Sequence, residues 1–204
     1  MSYLTPKLRL GILFSGRGSN MMAVLDAISR GEVHAEVVVA LTNNPQAPGI
    51  ALAESAGVSV KVEDPKQYAS IADYEAAMRR HLEAAKVDLV VLAGYMKVLG
   101  PTMLESFAGR MINIHPSLLP AFKGLHAQRQ AIEAGVKETG CTVHFVTAEL
   151  DGGPVLLQAA VPVLPGDTQA TLSDRILVEE HHILPKAIHL LAMQPHLFHK
   201  EISS

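Results

Sequence analysis

A mostly parallel α/β sheet with helices on both faces, and an antiparallel addition near the C-terminal part, is the fold class this sequence predicts. Three observations predict it. Strand and helix signals alternate along the chain, the pattern of crossover connections in a parallel sheet. Residues 87–93 form a nearly continuous apolar run, as in a strand covered on both faces. Two later strand signals are separated only by a turn-forming stretch, which suits an antiparallel pair. Taken together these describe a Rossmann-like plan.

The elements follow in order. Residues 8–14 are a short apolar run ending in Ser15-Gly16-Arg17-Gly18, and Met22, Leu25 and Ile28 then recur at helical spacing. Residues 35–41 read as a β-branched strand stopped by Thr42-Asn43-Asn44-Pro45. A short helix over 50–56 and a strand over 58–62 come next. Ile71, Tyr74, Met78, Leu82 and Ala85 form one apolar stripe, with Glu75–Arg79 and Arg79–Glu83 as i,i+4 pairs expected on the wet side. After the 87–93 strand, residues 111–115, 142–146 and 155–163 read as strands, the last two paired through 149–154. Pro162 ends the final strand or places it at an edge. Asp167 or Thr168 caps a long helix through Leu190, with a kink expected at Pro185.

The length of 204 residues suits one domain over 1–204, with a core over 8–190 and a C-terminal tail. A hydrophobic fraction of 49% with 4% aromatics predicts an aliphatic core. The net charge of -3 gives no support for nucleic-acid binding. No apolar run approaches the ~20 residues that span a bilayer, and no signal segment opens the chain, so no membrane role is expected. Cys141 is the single cysteine and has apolar neighbours, so a buried structural thiol in a reducing, cytoplasmic compartment is expected. Monomer and dimer stay equally open.

Chemistry concentrates in Asn113-Ile114-His115-Pro116-Ser117-Leu118-Leu119-Pro120. Pro116 biases His115 toward extended backbone, and alternate side chains of a strand share a face. Asn113 and His115 therefore aim at one spot, a donor pair suited to a carbonyl oxygen that gains negative charge. In the first loop, glycines let backbone N–H groups approach an anion at a helix start. Met21 stands where a dinucleotide fingerprint would have its third glycine, so the loop suits a single phosphate, with Ser19 and Asn20 as extra hydrogen-bonding groups. A tight turn with a Ser or Asn cap is the structural alternative. His126 and His144 are candidates to lie near the Asn113–His115 spot. His181, His182, His189, His196 and His199 lack the spacing of a metal site, and no metal is expected.

The strings Phe14-Ser15-Gly16-Arg17-Gly18-Ser19-Asn20, Leu92-Ala93-Gly94-Tyr95-Met96, the Asn113 string, and Glu149-Leu150-Asp151-Gly152-Gly153-Pro154 resemble the folate-dependent formyltransferases, and among them the glycinamide ribonucleotide formyltransferases. The resemblance runs from about residue 8 to residue 190, in the family's order. It implies formyl transfer from 10-formyltetrahydrofolate, as co-substrate, to the amine of glycinamide ribonucleotide, through a tetrahedral oxyanion. It implies catalytic roles for Asn113, His115 and Asp151. His115 would act as a charged donor or as a neutral proton acceptor, and Asp151 would sit beside it and raise its pKa. Gly18, Ser19 and Asn20 match the phosphate site, and Glu180 the ribose site. Met96, Lys97, Val98 and Leu99, with Asn113, match the folate site, closed from the other side by residues 147–151.

The sequence departs from the family at two places. Lys97 stands where arginine is common and loses the planar fork. Ile71 falls where another arginine is expected, and it fits the apolar stripe instead. Three other functions share features of the chain. A methionyl-tRNA formyltransferase would add a basic C-terminal domain, a formyltetrahydrofolate hydrolase an N-terminal regulatory one. A non-catalytic nucleotide-binding module would keep the first loop but leave Asn113, His115 and Asp151 unexplained.

Overall fold

A computed structural model describes residues 6–194 and residue 197. The chain runs β1 (Leu8–Phe14), α1 (Ser19–Ser29), β2 (Ala35–Thr42), α2 (Gly49–Ser55), β3 (Val60–Val62), α3 (Ile71–Ala84) and β4 (Leu89–Leu92). It continues through α4 (Pro101–Ser106), β5 (Met111–His115), α5 (Ala127–Glu133), β6 (Glu138–Phe145), β7 (Val155–Pro162) and α6 (Gln169–Met193). The strands form one sheet in the order β3-β2-β1-β4-β5-β6-β7. Pairing is parallel from β3 to β5 and antiparallel from β5 to β7. This is the mixed sheet the alternation predicts, with Pro162 ending the edge strand β7.

Strand alternation splits the core between the two faces. Leu10, Ile12, Phe14, Ile112 and Ile114 pack with α1 and α6, while Leu13, Val90, Leu92 and Met111 pack with α3 and α4. Cys141 lies in the first cluster, fully buried, and burial pushes its thiol up to about 12. Thr168 caps α6 in a capping box with Thr171, and Asp167 accepts from Leu164 N–H and pairs with Arg175 at 2.7 Å. Pro185 is buried inside α6, and helix continues on both sides of it. The tail with His196 and His199 lies outside the described residues.

Two expectations for α3 are corrected. Glu75 is not on the wet side: it is 1% exposed and accepts the Gly100 N–H at the entry to α4. The packing of α4 against α3 turns that position into an interface. Only Arg79–Glu83 forms a pair, at 3.6 Å. Ile71 does not belong to the apolar stripe, since it is 73% exposed and outside both core clusters. It is the first residue of the helix, and the buried stripe begins only at Tyr74 and continues through Met78 and Leu82. The short helices α4 and α5 are additions that periodicity did not reveal.

Candidate active site

The first loop joins β1 to α1 and makes one wall of a pocket of about 300 Å³, formed by residues 15–20 and faced by Ala93, Gly94 and Met96. Gly18 is the N-cap of α1 with φ 77, a left-handed conformation that costs glycine little. A side chain there would also press on the Gly49 backbone. Because the first helical hydrogen bond is Met22 N–H to Gly18 O, the N–H groups before it have no partner within the helix. They suit an anion. Ser15 fixes the loop to its neighbours: its hydroxyl accepts Met96 N–H at 2.8 Å and donates to Asn43 at 2.6 Å.

Asn20 and Glu180 meet beside this loop. Asn20 Nδ2 donates to Glu180 Oε2 at 2.7 Å, and Asn20 Oδ1 is buried without a partner. Burial raises the Glu180 carboxyl above its ordinary value, partly offset by the Asn20 hydrogen bond. The segment after β4 divides. Met96 faces the pocket, Lys97 and Val98 are exposed, and Leu99 is buried in the core with α3 and α4.

Asn113 pairs with Leu92 across the sheet, so the β5 site lies one strand away from the wall formed by Ala93 and Gly94. Asn113 and His115 alternate with the core residues Ile112 and Ile114, and thus share the opposite face. The turn after β6 folds back over that face. Gly153 lies so near the Phe145 carbonyl that any side chain would collide with it. Asp151, at φ 48, is held there by the Gly124 N–H at 2.8 Å. Lys123 and Glu149 join the same two loops at 2.7 Å.

The result is a buried polar cluster. His115 Nδ1 stands 3.4 Å from Asp151 Oδ2, with side chains 7% and 8% exposed. His115 Nε2 is 2.9 Å from the Phe122 carbonyl, which can only accept, so this nitrogen carries hydrogen. His144 Nε2 is 3.6 Å from Asp151 Oδ1 and 3.1 Å from Asn113 Nδ2. Burial lowers the His115 pKa, and this outweighs the raising effects of the Phe122 carbonyl and of Asp151. The expectation that Asp151 leaves His115 with a raised pKa is therefore corrected: the pull exists but desolvation is larger. Burial pushes the Asp151 carboxyl up, yet His144 and His115 in their charged forms, with the Gly124 N–H, hold it below its ordinary value.

Sequence reasoning placed His144 only near the site and missed the backbone groups of Phe122 and Gly124, which carry no side-chain signal. His126 is exposed at the start of α5. Among the described residues, no group of three or more His, Cys, Asp or Glu is placed to hold a metal ion, and no helix is long and apolar enough to cross a membrane.

A family model described as formyl transferase matches residues 8–188. The chain is 42% identical over 177 residues to phosphoribosylglycinamide formyltransferase of Escherichia coli, covering 87% of this chain and 84% of that protein. It is 46% identical over 198 residues to the trifunctional purine biosynthetic protein adenosine-3 of Drosophila melanogaster, but spans only 15% of that protein's length. Its fold resembles the crystal structure of glycinamide ribonucleotide transformylase 1 from Symbiobacterium toebii, with a TM-score of 0.93 and 50% identity over 95% of this chain and 91% of that one.

Proposed function

Because the chain belongs to the formyl transferase family, we propose that it transfers the formyl group of 10-formyltetrahydrofolate to the amine of glycinamide ribonucleotide. The observation that carries this reading is the buried His115–Asp151 pair at 3.4 Å, beside Asn113 and one strand from the pocket at the start of α1.

In this proposal the ribonucleotide phosphate meets the N–H groups at the start of α1, around Gly18, Ser19 and Asn20. Glu180, already bonded to Asn20, receives the ribose hydroxyls. Folate lies between the segment Met96-Lys97-Val98-Leu99 and residues 147–151, where Met96 and Val98 offer exposed apolar surface. The amine attacks the formyl carbon, the new C–N bond forms, and the carbonyl oxygen becomes an oxyanion. Asn113 donates an amide hydrogen to it. His115 takes the amine proton on Nδ1, the nitrogen not already donating to Phe122, and Asp151 stabilises the resulting imidazolium. Collapse of the intermediate breaks the bond to the folate nitrogen, which receives the proton. Each charge that develops thus meets a group already in place, the arrangement that supplies most of such catalysis. A reducing, cytoplasmic setting accompanies the proposal.

The test is formyl transfer by the purified protein with and without glycinamide ribonucleotide. Formylated product should appear in step with tetrahydrofolate, only when both substrates are present. Asn113→Ala should lower kcat about 10²–10³-fold. Folate turnover without the amine would point to a hydrolase, and absence of turnover to a binding module.

A further inference from the structure

His144 has no part in the scheme above, yet it touches both Asn113 and Asp151. It stands opposite Asn113 in the β5–β6 register and is 2% exposed. Its Nδ1 lies 2.8 Å from the Phe145 carbonyl. A carbonyl oxygen only accepts, so Nδ1 carries hydrogen, and a neutral ring then presents a bare lone pair at Nε2. The Asn113 Nδ2 at 3.1 Å is the end of the amide that can meet it, because Oδ1 there would set two lone pairs face to face. The bond uses one of the two amide hydrogens and leaves the other for a bound molecule. The opposite tautomer would carry hydrogen on Nε2, donate toward Asp151 Oδ1 at 3.6 Å, and leave the amide free to turn.

We propose that His144 is a positioning residue, whose Nδ1–H tautomer locks the Asn113 amide with its nitrogen toward β6 and its free N–H toward the formyl oxygen. The inference rests on the formyl-transfer reading above. Phe145 thus sets, through a backbone carbonyl, which end of the Asn113 amide faces the reaction.

Two variants separate this from a packing role. His144→Gln keeps an oxygen acceptor near the position of Nε2, whereas His144→Asn reaches only as far as Nδ1. The Asn variant should lose on the order of 10–100-fold in kcat, the scale of a misplaced catalytic group, with both KM values unchanged. The Gln variant should keep most of the rate. In an Asn113→Ala background the Asn variant should add no further loss, since the two residues act as one unit. Equal losses in both variants, or an undiminished loss in the Asn113→Ala background, would overturn the proposal. Imidazole nitrogen NMR of the unliganded protein gives a readout independent of turnover. His144 should show the Nδ1–H tautomer, and the Nε2–H tautomer would also overturn the proposal. A wild-type protein without transferase activity would bring down the functional reading instead, and the tautomer would still decide whether His144 holds Asn113.

Discussion

At the scale of single residues, the charge states of His115 and Asp151 decide what the proposed chemistry can use. Burial lowers the His115 pKa more than the Phe122 carbonyl and Asp151 raise it, with His144 lowering it slightly further. Asp151 is held below the ordinary carboxyl value. Near neutral pH the pair is therefore a neutral imidazole facing a carboxylate, ready to take a proton on Nδ1. The sign of the pH dependence follows. Protonation removes the acceptor, so kcat/KM should fall as pH drops through the His115 pKa, with a midpoint below the ordinary value of about 6.5. Asp151→Asn removes one influence that raises this pKa, so the acid limb of the pH–rate profile should move lower still while the rate above it drops. A limb that moved upward would contradict the assignment. Asn113 and His115 were legible in the sequence because Pro116 fixes extended backbone and alternation fixes the shared face. The sign of the His115 shift was not legible, because it depends on burial under residues 122 and 151, which only the folded loops bring near.

At the scale of elements, the long strands and amphipathic helices were readable from period alone, and α4 and α5 were not. Those two have six and seven residues, under two turns each, too few for an apolar stripe to repeat, and unlike the equally short α2 they were not marked out by predicted strands closely flanking both ends. Their absence from the sequence reading misplaced Glu75. Without α4, position 75 looked like half of a solvated i,i+4 pair. With α4 docked, its carboxylate is buried and satisfies the Gly100 N–H, a donor that precedes Pro101 at the helix start. This makes Glu75 a cross-link between two helices. Glu75→Ala should leave a buried N–H unpaired and destabilise the fold by about 1–3 kcal/mol, measured by denaturant unfolding. Glu75→Gln, which keeps an acceptor oxygen, should cost less. A change near zero for the Ala variant would return the residue to the solvated face.

At the scale of the molecule, the sheet has a seam. From β3 to β5 it is parallel, and the pocket bounded by residues 15–20 lies at the ends of β1 and β4. At β5 it turns antiparallel, and the fold-back of the β6–β7 turn brings Asp151 over the face that carries His115. The proposed function puts ribonucleotide binding and formyl transfer in different halves, and on that reading the two should be separable by mutation. Thr142 sits on the antiparallel side of the seam. Its hydroxyl donates to Ser117 O at 2.7 Å and accepts from Leu119 N–H and Gln158 Nε2 at 3.1 and 2.9 Å, which ties the chain after β5 to β6 and β7. That same stretch of chain leads to the Phe122 carbonyl, which holds His115. Thr142→Val is nearly isosteric but strands these polar groups, so it should destabilise by about 1–3 kcal/mol and lower kcat, with KM for the ribonucleotide unchanged. Gly18→Val is the converse. It forces a side chain into left-handed backbone and against Gly49, and should raise the ribonucleotide KM while leaving the His115 pH profile in place. Steady-state kinetics on the two variants checks both halves at once. If Thr142→Val weakened ribonucleotide binding, or Gly18→Val moved the pH profile, the halves would be one coupled site, and the seam would have no functional meaning.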